Sequence, residues 1–451
     1  MLRMANLVPR ALNNTYLIVS AMAVGLATLY IAAPLWLNYR VAPDPYLETL
    51  AAMTTLAIAT IVVGFKLPLL DARFRPDAAR LHVSEKVLQA FVWGTFITFA
   101  AIVIATAPTI PFLSAIAGAS DAQQLSVERG NFLKTRMGWQ SALPYISAAY
   151  VAALLPYATA RLFVQQSPWR FAGAVLFVLY TMLALEKSNF FFALAPLLWL
   201  SLKRAKYKAA AAILVVGICL LYVNTLLARG AAPPISANIA IASAKQSPAK
   251  ESERQAYHTA QYAPESALDH ILWRLLIIPV VTASDGLRVF DEKLEGRHLW
   301  GATSSFVAKV TGQQRVNLDA EIFAHQYGRS FIGRSNAVYL VEAFVNFGWL
   351  GVVAFSLFVG QALRWFQQTV DESLQALWPL FCSLVFGGGL LGTLLSNGYL
   401  AVFLVVLWGS VGTKAPIWAT RTLRESTSAP TRIGQPGATR AANIKGKPLF
   451  W

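Results

Sequence analysis

The chain alternates long apolar segments with short polar connections, and one long polar insert interrupts this alternation. Segments of about twenty apolar residues are long enough to cross a bilayer as helices. The insert, from about Arg229 to Ser335, separates the seventh such segment from the eighth. The predicted spanning segments are 16–37, 46–66, 87–107, 141–160, 171–186, 189–203, 209–228, 347–366, 376–395 and 398–413.

This pattern predicts an all-α polytopic membrane protein with about ten transmembrane helices and one long external loop. The predicted parts are an N-terminal transmembrane bundle (1–228), a large external loop (229–337), C-terminal transmembrane helices (338–413) and a tail (414–451). The tail is rich in Pro, Gly, Ser, Thr and Arg, so it cannot bury enough apolar surface to offset its ordering entropy. We therefore expect a disordered basic tail.

Composition agrees with a membrane protein. The 451 residues are 56% hydrophobic and 13% charged, and the mean hydropathy is +0.50. A soluble domain carries about twice that charged fraction. The net charge of +16 lies mostly in short connections between apolar segments, which argues for membrane orientation and anionic lipid and against nucleic acid. Cys219 and Cys382 lie in apolar segments and are predicted to be free core cysteines.

Lysine and arginine in the connections predict the orientation. Most of these residues fall on one side of the membrane if about ten helices span it, and positive charge favours the cytoplasmic side. Both termini are then cytoplasmic, the first segment is a retained anchor, and the insert lies outside. The residues in question are Arg3, Arg10, Lys66, Arg73, Arg75, Arg80, Lys86, Arg161, Arg170, Lys203, Arg204, Lys206, Lys208, Lys414, Arg421, Arg424, Arg432, Arg440, Lys445 and Lys447.

Within the insert, apolar residues recur at helical spacing between Ala267 and Ser284. This spacing predicts an amphipathic helix lying on the membrane surface, containing Arg274 and interrupted by Pro279. The apolar positions are Leu268, Ile271, Leu272, Leu275, Leu276 and Val280.

Cations on the external side are the main candidates for chemistry, because the orientation bias should deplete them there. They are Arg129, Lys134, Arg136, Lys187, Arg274, Arg288 and Arg334. Each of them could equally be an ordinary solvated charge, or a side chain that reaches from the bilayer to the interface, with no chemical role. Lys187 and Arg274 have apolar neighbours, where an ionisable group is costly and therefore informative.

A lipid diphosphate would give these cations a role. Arginine matches phosphate oxygens bidentately, and the same cations stabilise the charge that develops when a diphosphate departs. An acceptor hydroxyl also needs a general base, for which the candidates are His325, Glu321, Asp319 and Glu342. Glu342 suits a structural salt bridge equally well. The histidines of the insert lack metal-ligand spacing, so no metal or cofactor is predicted.

The segment from Asn336 to Gly351, with an acidic residue and the motif Asn346-Phe347-Gly348, resembles the end of the external loop in bacterial oligosaccharide repeat-unit polymerases of the O-antigen polymerase type. Trp273-Arg274 followed by Pro279, the Glu186-Lys187-Ser188 turn and the basic residues after the third segment are also similar.

The resemblance implies a metal-independent inner-membrane glycosyltransferase. Such an enzyme moves a growing glycan from undecaprenyl diphosphate onto a new lipid-linked repeat unit at the periplasmic face, building O-antigen, capsule or exopolysaccharide. A polysaccharide chain-length regulator is a further candidate partner. The resemblance also implies that basic residues of the external loops act in the reaction, and Arg136, Lys187, Arg274 and Arg334 occupy comparable places.

Two alternatives stay open. The related O-antigen ligases use a histidine of the long loop, and His325 lies near such a position but outside a convincing motif. A transporter or flippase for a lipid-linked glycan would need ionisable residues deep within several spans, and the sequence has almost none.

Overall fold

The computed structural model describes residues 15–40, 43–71, 81–118, 122–134, 136–186, 189–229, 273–327 and 335–411. This part of the chain is helical apart from two three-residue strands, β1 (Leu81–Val83) and β2 (Gly409–Val411), which pair in parallel.

In chain order the helices are α1 (Leu17–Tyr39), α2 (Pro45–Lys66), α3 (Glu85–Thr106), α4 (Pro111–Ile116), α5 (Ala122–Arg129), α6 (Gly138–Val164), α7 (Arg170–Leu183), α8 (Asn189–Lys203), α9 (Tyr207–Arg229), α10 (Ile278–Glu292), α11 (Ser305–Thr311), α12 (Leu318–Tyr327), α13 (Tyr339–Gln368), α14 (Glu372–Phe386) and α15 (Tyr399–Trp408). Single π-helical turns follow α5 and precede α10 and α15, at Gly130–Lys134, Trp273–Ile277 and Gly392–Ser396.

Six helices in the described ranges are long and apolar enough to cross a membrane: α1, α2, α3, α6, α9 and α13. The helices α7, α8 and α14 are apolar but shorter. The predicted helical architecture with several membrane-length apolar helices is therefore confirmed, and the number of about ten spans stays a prediction. The predicted segment 376–395 is not one continuous helix, because α14 ends at Phe386, before three consecutive glycines.

The two helices α2 and α13 form the centre of the bundle and touch through glycines. A Cβ atom at Gly64 would overlap the carbonyl oxygen of Leu357, and one at Gly360 would overlap that of Ile61. The backbones therefore approach as closely as small residues allow, which is how membrane helices pack without a hydrophobic driving force. The two helices run parallel, since Arg364, beyond the crossing point, donates to the carbonyl oxygen of Phe65 at 2.8 Å.

One end of the bundle, here called the arginine-rich face, is held by buried ion pairs between helix ends. Arg364 forms a bidentate pair with Asp71, at 2.9 and 2.5 Å. Arg161, 7% exposed, donates to Glu85 at 2.5 Å and to Asp371 at 2.7 Å. The contacts join the ends of α2, α6 and α13 to the starts of α3 and α14. These connections therefore lie at one face, in agreement with the loops that the charge pattern groups together.

The opposite end, here called the insert face, joins the starts of α2 and α13 to the insert. Asp44 caps the N-terminus of α2 by accepting from the Tyr46 amide at 3.0 Å, and Pro45 occupies the first turn, where its missing N–H costs nothing. The same carboxylate accepts from Arg288 of α10 at 2.9 Å.

The predicted surface-lying helix of the insert falls only partly within the described residues, since 267–272 lie outside them. Its described part is the π-helical turn Trp273–Ile277, which continues into α10, and Pro279 lies in the first turn of α10, directly after the π-helical turn. Nine residues of α10 are buried, in contact with α2, α12 and α13. Apolar periodicity alone does not say whether a stripe faces lipid or protein. Of the predicted stripe, Val280 is buried against protein, whereas Leu275 is 60% exposed.

Candidate functional site

A cavity of about 780 Å³ lies between helices of the bundle and helices of the insert. Helices α1 and α14 form one wall, and α10, α12 and residues 335–336 form the other. The lining residues are Ala21, Met22, Leu29, Tyr30, Leu275, Ile278, Pro279, Thr282, Phe323, Gln326, Ser335, Asn336, Trp378, Pro379, Cys382, Ser383, Phe386 and Gly387. This volume lies within the range typical of small-molecule sites.

Three polar lining residues, Thr282, Gln326 and Ser335, form a rim that Gln326 organises. The Ser335 hydroxyl donates to Oε1 of Gln326 at 2.6 Å, and Nε2 of Gln326 donates to the buried Asp285 carboxylate at 2.8 Å. Thr282 lies 3.5 Å from the same nitrogen. The rim thus offers fixed hydroxyl and amide groups above an apolar wall. Such a cavity suits an amphiphile with a hydroxyl-rich head.

The Asn346-Phe347-Gly348 motif is a helix break that holds the insert. Gly348 has φ +63° inside α13, a conformation that other residues rarely adopt. The interruption leaves the Val345 and Asn346 carbonyls available to the amides of Leu299 and Trp300, at 3.1 and 3.0 Å. The buried Asn346 side chain accepts from the Gly301 amide at 2.8 Å. These bonds position the insert against the bundle.

Glu342 lies on the same first part of α13, with its carboxylate between three elements. Oε1 accepts from Thr303 of the insert at 3.3 Å, and Oε2 accepts from the backbone amide of Leu391 at 3.2 Å. A Cβ atom at Gly389 would overlap this carboxylate, so the glycine is needed for the approach. The Gly387–Gly389 run follows the end of α14 and admits the carboxylate of Glu342.

Glu342 has no lysine or arginine as an ion-pair partner among the residues that the structure describes. The predicted structural salt bridge is therefore not found in this part of the chain. A largely desolvated carboxylate held by neutral donors can exchange a proton more readily than an ion-paired one. Glu342 thus stays a candidate base, although it is not among the residues that line the cavity.

Arg288 is in a structural ion pair. One terminal nitrogen donates to Asp44, and the guanidinium lies 5.1 Å from the centroid of the Tyr46 ring. Its Nε atom is buried and makes no hydrogen bond. The pair with Asp44 reduces the charge that Arg288 could offer to a diphosphate, and Arg288 is not among the residues that line the cavity.

Arg136 packs in a different part of the bundle. Its guanidinium donates to the carbonyl oxygens of Phe132 and Val103, at 2.8 and 3.1 Å, and to the Thr106 hydroxyl. These bonds satisfy the end of α3, and burial lowers the pKa of Arg136 from its ordinary value. Arg136 and Arg288 are thus held by different helices and do not join at the cavity.

His325 lies on α12 between two residues that line the cavity, Phe323 and Gln326, but it does not line the cavity itself. The ring is half-buried. Burial lowers the pKa of His325 from its ordinary value, although the nearby Asp285 and Glu292 carboxylates oppose this effect.

We expect the stability of the protein to fall as the pH drops below about 6.5, because the unfolded chain then binds a proton that folded His325 resists. Above that pH both states are neutral and the effect is absent. Thermal unfolding of the purified protein at pH 7.5 and 5.5 measures the loss. The loss should be smaller in His325→Gln, and an equal loss in both proteins would contradict this role of His325.

Three predicted site residues lie wholly or partly outside what the structure describes. Lys187 and Arg334 fall outside the described residues. The backbone of Arg274 is described, as part of a helical turn, but its side chain is not. In sequence, Arg274 precedes the lining residue Leu275, and Arg334 precedes the lining residue Ser335.

Sequence reasoning missed the residues of the rim. Thr282, Asp285, Gln326 and Ser335 match no motif, and only Thr282 lies in the segment 267–284 whose spacing was judged, there by its apolar residues alone. A usable signal exists in α10, since Thr282 and Asp285 are three residues apart and therefore share a helix face with the buried apolar positions. A carboxylate on a buried face needs a partner, and that requirement points to a polar site.

Comparisons of this chain with protein-family models, with curated proteins and with solved structures find no match.

Proposed function

We propose that this protein is a bacterial inner-membrane glycosyltransferase that joins lipid-linked oligosaccharide repeat units into a polymer. The observation that carries this proposal is the amphiphilic cavity between the bundle and the insert, which combines an apolar wall with a rim of hydroxyl and amide groups. A lipid-linked sugar has the same division between an apolar chain and a hydroxyl-rich head. The cavity volume of about 780 Å³ admits part of such a molecule, not the whole.

In this proposal the arginine-rich face is cytoplasmic and the insert face is periplasmic, with about ten helices spanning the bilayer and both termini inside. The external cations act on the diphosphate. Arg274 and Arg334 are the stronger candidates, because each adjoins a lining residue in sequence. Their guanidinium groups would bind the diphosphate oxygens and stabilise the charge of the departing carrier.

Glu342 is the proposed general base. It would take the proton of the acceptor sugar hydroxyl as that oxygen bonds to the anomeric carbon of the donor glycan. The bond from that carbon to the carrier diphosphate breaks in the same reaction, and the diphosphate leaves with the bonding electron pair. All atoms and charges are then accounted for without a redox partner.

The experiment uses purified full-length protein in lipid nanodiscs with undecaprenyl diphosphate-linked repeat units, with and without a chelator. We expect products two or more repeats long on a gel, unchanged by the chelator. Transfer only to an added lipid A-core acceptor would favour a ligase. Movement of the lipid-linked sugar across liposomes without lengthening would favour a flippase, and either result would overturn the polymerase assignment.

A further inference from the structure

The cavity is elongated along two neighbouring helices. On α1 its lining runs from Ala21 to Tyr30, and on α14 from Trp378 to Gly387. From its first to its last residue, each stretch advances by nine helical steps of about 1.5 Å, or about 13 Å in all. That length is close to half of the roughly 30 Å hydrocarbon thickness of a bilayer.

Helices α1 and α14 run parallel along the cavity, so its two ends are at different depths. Leu17, at the start of α1, and Trp378, near the start of α14, pack against the same small cluster close to the arginine-rich face. Further along, the Tyr30 hydroxyl donates to the carbonyl oxygen of Phe386 at 2.8 Å. Measured from the insert face, the end of the cavity at Ala21 is therefore the deeper one, although Ala21 itself is exposed, and the end at Tyr30 lies toward the insert.

The lining is more polar toward the insert than at the deeper end. The deeper end is formed by Ala21, Met22 and Trp378, where the Trp378 indole N–H is the polar group, whereas the rim carries Gln326 and Ser335. An amphiphile fits better with its head at the rim and its hydrocarbon chain directed toward Ala21, because the reverse would place the polar head against mostly apolar side chains.

The length of the apolar part sets how much of a chain fits. An extended carbon chain advances roughly 1.2 Å per bond, one third of the roughly 3.6 Å that three backbone bonds cover in an extended peptide. About 13 Å therefore holds about eleven chain bonds, and a prenyl chain has four chain bonds per isoprene unit. Two units reach about 10 Å and three reach about 14 Å by the same arithmetic.

We infer that the cavity binds the first three or so isoprene units of the lipid carrier, counted from the diphosphate, and that the rest of the carrier lies in the bilayer. This inference rests on the proposed function for the identity of the carrier. It adds a chain-length specificity to the proposed function. A carrier chain of two units leaves the deeper end of the cavity empty, and units beyond the third make no contact with the cavity.

The test measures how prenyl diphosphates protect single cysteines from a membrane-permeant maleimide. Both natural cysteines, Cys219 and Cys382, are replaced by alanine, and one cysteine is introduced as Ala21→Cys or Leu29→Cys. The matched control is Val24→Cys, because Val24 is on the same helix, is 65% exposed and does not line the cavity. The full-length proteins are compared in nanodiscs with geranyl diphosphate, farnesyl diphosphate and inorganic diphosphate.

We expect geranyl diphosphate, with two units, to slow alkylation at position 29 only, and farnesyl diphosphate, with three, to slow it at positions 29 and 21. At a ligand concentration about ten times its Kd the rate should fall about tenfold, since about a tenth of the protein stays free. Position 24 should react at the same rate throughout, and inorganic diphosphate should protect none of the three.

Equal protection of position 21 by both prenyl ligands, or protection of neither cavity position, would overturn the inference. The outcome is separable from that of the proposed function. Depth-dependent protection without any polymerisation would retain the chain-binding cavity and reject the polymerase. Polymerisation without depth-dependent protection would do the reverse.

Discussion

Glu342→Gln should lose polymerisation by roughly 100-fold or more while the protein stays folded, because a general base typically contributes at least this factor. Glutamine keeps the shape of the side chain, and its carbonyl oxygen can still accept from the Leu391 amide, as Oε2 does now at 3.2 Å. It cannot take a proton from an acceptor hydroxyl. The initial rate of elongation of lipid-linked repeat units by the purified protein measures the effect.

Thr303→Val is the matched control for this variant. It removes the 3.3 Å hydrogen bond to Glu342, together with the 2.9 Å bond that Thr303 accepts from Asn346, and leaves the carboxylate in place. We expect the elongation rate to fall less than tenfold, since only one of these bonds reaches Glu342 and a single hydrogen bond is worth about 1 kcal/mol. If Glu342→Gln elongated at the rate of Thr303→Val, with both unfolding at the temperature of the natural protein, Glu342 would be a structural residue only.

Gly360→Leu should prevent stable folding, because the new side chain would overlap the backbone of α2 at Ile61. Backbone cannot move aside as a flexible side chain can, so the two central helices would have to separate. We expect a loss of roughly 3 kcal/mol or more, at the upper end of overpacking costs. The temperature of unfolding in detergent and the yield of monodisperse protein report this loss.

Gly94→Leu provides the comparison, since Gly94 lies inside the spanning helix α3 and a Cβ atom there would meet nothing within 4 Å. This substitution should leave stability unchanged or raise it slightly, because leucine favours helix over glycine. Equal stability of the two variants would mean that α2 and α13 do not touch as closely as the structure places them.

The sequence predicted the helical membrane architecture because each span is defined by a local property, its apolar length. The sequence also predicted which ends of α2, α3, α6, α13 and α14 lie together at the arginine-rich face. Basic residues near helix ends can be counted along the chain, and their alternation assigns each end to one side. The partners of those residues were not. Arg161 meets Glu85 and Asp371 across long separations in sequence, and no local pattern pairs them.

The candidate site was predicted in part. The motif around Asn346 and the carboxylate of Glu342 attracted notice in the sequence, and both contact the insert in the structure. The expected gathering of cations does not extend to Arg136 and Arg288. Arg136 caps the end of a helix, and Arg288 pairs with Asp44. Charge and position in a loop do not distinguish a ligand-binding arginine from a structural one, because that depends on the acceptors that folding brings near.

The central claim is that a lipid-linked substrate occupies the cavity between α1 and α14 during the reaction. The most direct measurement is the elongation rate of the Leu29→Cys protein, free of other cysteines, before and after complete modification with a bulky maleimide. The account predicts that modification abolishes elongation, whereas the same modification of Val24→Cys leaves the rate unchanged. Undiminished elongation by the fully modified Leu29→Cys protein would contradict the account.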